Sequence, residues 1–93
     1  MKGFEWNDDK NKWLKEHRNI SFEEIVFFIE NDGMLDSYGH PNKKKYPGQS
    51  VFVVQTDIYV YLVPYVEEEE CYFLKTIIPN SEAKRKYLEG KNG

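Results

Sequence analysis

The sequence predicts an α+β fold: a small antiparallel sheet of about four strands, two N-terminal helices and one short C-terminal helix. Three observations carry this. Between Ser50 and Pro79 lie three runs, Val51–Gln55, Ile58–Val66 and Cys71–Ile78, dense in β-branched and aromatic residues that suit a pleated, packed surface. The breaks between them, at Thr56-Asp57 and across Glu67 to Glu70, are short enough to join only antiparallel neighbours. Two segments ahead of the runs, and one behind them, carry helix-capping residues.

Phe4-Glu5-Trp6 is an apolar lead-in to the first helix, which Asn7 caps and where Asp8 and Asp9 meet the positive end of the dipole. The helix is expected to run to about His17, on a thin inward stripe of Trp13, Leu14 and His17 that leaves His17 half-buried. Arg18-Asn19 turns the chain. Ser21 then caps a second helix, Glu24 closes a capping box and Ile20 staples against Ile25. Phe22, Ile25, Val26 and Ile29 form its stripe, and it ends at Asn31-Asp32-Gly33 with glycine in the left-handed turn.

Met34–Tyr38 reads as an edge strand, and Gly39–Gly48 as a loop, by its Gly and Pro content. In the strand that follows Asp57, Ile58, Val60, Leu62 and Val66 share one face, on which the second helix is expected to lie. Tyr59, Tyr61, Val63 and Tyr65 share the other. That tyrosine face suits either a half-wet groove for a ligand or ordinary amphipathic sheet packing. After Pro79, Asn80 or Ser81 caps a helix through Glu82–Leu88, stopped near Gly90.

Ninety-three residues make one domain, with 40% hydrophobic content and a mean hydropathy of -0.75. No apolar run approaches a membrane span, and the polar start does not read as a signal peptide. The single cysteine, Cys71, cannot form an internal disulfide, which fits a reducing cytoplasm. One cysteine and two histidines lack the spacing of a zinc site, so no metal or cofactor is expected. Cys71 follows four acidic residues, which disfavour a thiolate nucleophile.

The net charge of -3 conceals segregation: -3 over residues 1–33, +2 over 34–50, -5 over 51–70 and +3 over 71–93. Two basic segments can therefore converge in space. Lys43, Lys44 and Lys45, beside His40 and Tyr46, have the composition that holds a phosphodiester backbone, and equally that of a solvated loop. Lys84, Arg85 and Lys86 spread round one turn of the last helix.

Several phrases, in order from Phe4 to Leu88, resemble the BrnT family of bacterial type II toxins. They are Phe4-Glu5-Trp6-Asn7, Ile20-Ser21-Phe22-Glu23-Glu24, His40-Pro41-Asn42 with Lys43–Lys45 and Tyr46-Pro47, Tyr59–Pro64, and Phe73–Pro79. The resemblance implies a RelE-like fold and a metal-independent ribonuclease that inhibits translation. It also implies a cognate ribbon-helix-helix antitoxin, through which alone DNA is contacted. In such cleavage the 2'-hydroxyl attacks the adjacent phosphate, and the protein supplies a base, cations and an acid. On matching positions the resemblance implies Lys75, His40 and Tyr87 as catalytic residues. Lys43, Lys44, Lys45, Tyr46, Tyr59, Tyr61, Lys84 and Arg85 are the expected RNA contacts. One departure stands out: the family's Ser-Arg-Lys phrase falls on Asn80-Ser81-Glu82, so Ser81 replaces the arginine and Glu82 the lysine. Loss of that fork leaves two readings, an active nuclease and a weakened or inactive module that only binds its antitoxin and helps autoregulate transcription.

Overall fold

The computed structural model describes residues 2–89. Strand β1 (Gly3–Trp6) leads into helices α1 (Asp8–Arg18) and α2 (Phe22–Phe28), the second continuing as a wide turn over Ile29–Gly33. Strands β2 (Met34–Gly39), β3 (Gln49–Gln55), β4 (Val60–Glu67), β5 (Cys71–Leu74) and β6 (Ile78–Pro79) follow, then α3 (Ser81–Lys84) with a wide-turn extension, Arg85–Glu89. The helix stop expected at Gly90 lies outside the described residues. The sheet order is β1-β5-β4-β3-β2, with β6 pairing β4. Class and element types agree with expectation; the strand count is six, not four.

The two additional strands are short. β1 runs parallel to β5, from Gly3 opposite Cys71 to Trp6 opposite Leu74. Its half-buried Phe4 and Trp6 alternate with exposed Gly3 and Glu5, a period too brief to read in four residues. Lys2 ties this edge to the β4–β5 turn through Glu67 at 2.8 Å.

Asn7 caps α1 as expected, its side chain accepting from the Lys10 amide at 2.9 Å. The inward stripe differs. Asn11 and Leu14 are buried, whereas Trp13 is 39% exposed and His17 lies exposed, stacked on the Trp13 ring at 4.7 Å. The half-buried histidine is thus corrected. A polar residue takes the inner position because Asn11 joins two helices: its Oδ1 accepts from the Phe22 amide at 2.8 Å and its Nδ2 donates to Glu23 at 2.7 Å. Asn11→Ala leaves a buried N–H at the start of α2 without a partner, and is expected to lower stability by about 2 kcal/mol in urea unfolding.

Ser21 caps α2 by accepting from the Glu24 amide at 3.1 Å, and its hydroxyl donates to the Glu24 carboxylate. Glu24 therefore closes the box on the hydroxyl rather than on the Ser21 amide. Ile20 and Ile25 are both buried in the same cluster, as a staple requires. At the end of the helix the left-handed residue is Asp32, at φ 68°, not Gly33. Gly33 answers a different need, close approach of backbone.

The faces of the sheet are exchanged relative to expectation. Helices α1 and α2 cover Phe52, Val54, Tyr61, Val63, Tyr65, Leu74 and Ile77, so the tyrosine face is core and not a half-wet groove. Phe52 and Tyr65 stack at 3.7 Å with 7° between planes, and the Tyr65 hydroxyl reaches Ser37 at 2.9 Å. A phenol whose tip finds a partner at the sheet edge can bury its ring without penalty. The aliphatic face, Val53, Val60 and Leu62, is covered instead by Ala83, Tyr87 and Leu88 of the C-terminal segment. Ile58 leaves the strand altogether: the Thr56 side chain holds a turn through the Ile58 and Tyr59 amides, and Ile58 is 76% exposed.

Candidate functional site

A bulge in β2 builds the most chemically loaded depression on the described surface. Met34 pairs with Val54 but Asp36 pairs with Val53, so Leu35 is the extra residue. Leu35 joins the cluster beneath α3, and Asp36, across from Val53, faces the same side; two consecutive residues on one face is what a bulge produces. The backbone amide of Ser37 donates to Asp36 Oδ1 at 2.8 Å. Tyr87, carried by the extension of α3, donates its hydroxyl to Asp36 Oδ2 at 2.9 Å.

This contact sets both protonation states. The Tyr87 hydroxyl, then the Ser37 amide, hold the Asp36 carboxyl below its ordinary value of 3.8. Reciprocally, the Asp36 hydrogen bond and then burial push the Tyr87 phenol above 10.0. The depression between α3 and the sheet encloses about 390 Å³ and is lined also by Tyr38, Leu62, Asn80, Glu82 and Lys86. Asn80 positions the helix, accepting from the Ala83 amide at 2.7 Å while its own amide donates to Val60 at 3.2 Å.

Of the residues expected to be catalytic, Tyr87 lines the depression. Lys75 donates its amide to Pro64 at 2.8 Å, and its ammonium stands 5.3 Å from the Phe73 ring centroid. Phe73 pairs with Val66, in phase with Leu62, so it lies on the sheet face that carries α3. His40 belongs to the β2–β3 connection. Its Nδ1 accepts from the Asn42 amide at 3.0 Å, and the ring packs on Tyr46 with centroids 4.4 Å apart.

The expected RNA contacts divide between two ends of the sheet. Lys43, Lys44, Lys45 and Tyr46 lie in the connection beside Gln49, which pairs with the last part of β4 at Val66; Lys45 stands 5.4 Å from the Tyr46 ring. Lys84 stands over Tyr59 at 5.2 Å, beside Val60 at the start of β4. The six residue steps along β3 separate these ends by about 20 Å. Tyr61 is buried, 8% exposed, and lies outside the depression at Tyr87, on the opposite sheet face beside Ile20 and Phe28. Arg85 is exposed on the extension of α3. The lysine loop and the closing helix therefore do not meet over the tyrosine face; the depression that the closing helix lines bears Lys86, Tyr87, Asp36 and Tyr38. Sequence reasoning passed over Asp36 and Tyr38, and named Lys86 only among the cations spread round the last helix; the available signal was the polar run Asp36-Ser37-Tyr38 inside a strand.

Cys71 is buried, and its thiol donates to Glu68 at 3.2 Å. Burial, then that hydrogen bond, push its pKa up to about 11 from 9.0. At pH 8 the thiol is expected to resist iodoacetamide in the folded protein, the rate rising only as pH approaches about 11, measured by intact mass. A raised folded pKa favours the fold below 9.0 and that contribution is lost as pH climbs through about 11. No group of three or more potential metal-ligating side chains gathers among the described residues, and no helix is long and apolar enough to cross a membrane. In comparisons with family models, curated proteins and solved structures, nothing matches this chain.

Proposed function

We propose that the chain is a BrnT-like toxin of a type II toxin–antitoxin system, a cytoplasmic, metal-independent ribonuclease restrained by a ribbon-helix-helix antitoxin. The observation that carries the reading is the Tyr87 hydroxyl, kept protonated by Asp36 in a depression that also holds Lys86. In this proposal the 2'-hydroxyl gives its proton to solvent as its oxygen attacks phosphorus, the bond to the 5'-oxygen breaks, and Tyr87 protonates that leaving oxygen. Lys75 and Lys86 offset the charge that grows on the phosphoryl oxygens.

A specific observation supports the second reading, a silent module that binds its antitoxin. The same depression contains two carboxylates, Asp36 and Glu82, against one ammonium, Lys86. Glu82 stands where the resemblance places a lysine, and a net negative lining repels phosphate. The readings separate in one experiment: the purified chain incubated in EDTA with end-labelled RNA, alongside bacterial growth on induction. Cleavage to 2',3'-cyclic phosphate ends together with growth arrest supports the nuclease; intact RNA and normal growth, with a stable complex formed by the neighbouring reading frame's product, supports the module.

A further inference from the structure

On the sheet face opposite α3, where the end of α1 and the helix α2 meet the β3–β4 turn, a cup of about 220 Å³ opens beside Tyr61. Ile20, Phe28 and Ile58 line it with apolar surface, and Glu24 and Asp57 add two carboxylates. Among the described residues neither carboxylate forms an ion pair, and no lysine, arginine or histidine lines the cup. A volume below the roughly 300 Å³ at which small-molecule pockets begin admits one side chain rather than a whole ligand.

Tyr61 distinguishes the cup from a solvated acidic patch. The residue is 8% exposed, yet its hydroxyl has no hydrogen-bond partner among the described residues, whereas Tyr65 and Tyr87 give theirs to Ser37 and Asp36. No fully buried side-chain nitrogen or oxygen is left unpaired among those residues, so the Tyr61 oxygen is the part of the side chain that reaches the surface, in the cup it lines. Burial, then the charge of Glu24, push its phenol above 10.0, so at neutral pH the hydroxyl keeps its proton and both lone pairs. A phenol that is nearly buried without a partner is stabilised by any visitor that supplies one.

A guanidinium on an apolar stem answers all of these features. Its methylenes can lie along Ile20 and Ile58 while the charged head meets the carboxylates. Five N–H donors in a planar fork can serve the Tyr61 oxygen and two carboxylates together, and a guanidinium sheds water more readily than an ammonium. The adjoining depression shares Phe28, Thr56 and Asp57 and adds Asn31, Asp32 and Gln55, a polar and acidic continuation that favours further cations on the same visitor.

We propose that this cup is a binding site for an arginine side chain of a partner protein, its stem against Ile20, Phe28 and Ile58 and its guanidinium shared by Tyr61, Glu24 and Asp57. The inference is independent of the nuclease reading, since none of these residues lines the depression at Tyr87.

The test titrates the isotope-labelled full chain with N-acetyl-arginine methylamide, and with its citrulline and lysine counterparts, and follows the backbone amide shifts. Saturable changes at residues 19–28 and 56–61 are expected for the arginine compound, with a Kd on the order of mM. The neutral citrulline isostere should give none and the lysine compound weaker ones. Tyr61→Phe and Asp57→Asn should each raise Kd about threefold or more, while Glu69→Gln, in the β4–β5 turn, should leave it unchanged. Tyr61→Phe deletes only the hydroxyl and Asp57 is exposed, so both variants keep the fold, as unchanged amide dispersion will verify. Citrulline or lysine binding as tightly as arginine overturns the proposal. So do an unchanged Kd in Tyr61→Phe or Asp57→Asn, an equal loss in Glu69→Gln, shifts that map elsewhere, or no saturable change by about 50 mM.

Discussion

Gly33→Ala is expected to cost about 3 kcal/mol, the top of the ordinary overpacking range, because the added methyl has nowhere to go. A Cβ at Gly33 falls 2.5 Å from the Phe28 carbonyl oxygen and 2.6 Å from that of Gln55. Both are backbone atoms, one at the end of α2 and the other at the end of β3, so no side-chain rotation relieves the contact. The wide turn over Ile29–Gly33 is where α2 is drawn down against the sheet, and separating the two elements by even a few tenths of an ångström opens the core around Ile29 and Val54. Urea unfolding should show a lower midpoint at unchanged slope, and the melting temperature should fall by about 12 °C or more for a domain of this size. A melting temperature within about 2 °C of wild type would mean that the approach of backbone at Gly33 is not a constraint on the fold. Asp32→Ala is the companion. At φ 68° aspartate, whose short polar side chain can bond locally, is tolerated better than alanine, and the substitution adds no atom, so a smaller loss of roughly 1 kcal/mol follows.

How much of this architecture is legible in the chain depends on the range of the interaction. Helices α1 and α2 are readable because their signals are local: Asn7 and Ser21 cap within three residues of themselves. The β3–β4 pairing is readable because only an antiparallel hairpin fits its turn. What is not readable is which face each strand turns inward. Val60 and Leu62 are as apolar as Tyr61 and Val63, and the choice is made by partners far away, Ser37 for the Tyr65 hydroxyl and Ala83 for Val60. Asn11 hides for the same reason: its partner Phe22 lies eleven residues on, across a turn. The depression at Tyr87 depends on a bulge at Leu35 and a contact spanning 51 residues, which no periodicity announces.

Tyr87→Phe is expected to lower RNA cleavage by about 10²-fold, the lower end of what a positioned general acid contributes, if the chain is the nuclease proposed above. Lys75→Ala should lose a similar factor by removing a cation from the developing phosphorane. The two differ in what else they move. Phenylalanine keeps the ring over Leu62 and Val53 while deleting only the hydroxyl, so the fold should be retained and the loss should lie in turnover rather than in RNA affinity. Lys75→Ala should instead weaken both, and flatten the dependence of binding on salt. The pH profile discriminates further. Because Tyr87 is raised above 10.0, a rate that needs its proton persists through neutral pH and falls only beyond that value; the Phe variant lacks this alkaline limb. The linked stability has the opposite edges. The lowered Asp36 contributes above 3.8 and that is lost as pH drops through its folded value, while the raised Tyr87 contributes below 10.0 and that is lost as pH climbs through its own. A Phe variant that cleaves at the wild-type rate, with the alkaline limb intact, removes Tyr87 from the chemistry and leaves its hydroxyl as a strut between α3 and the β2 bulge.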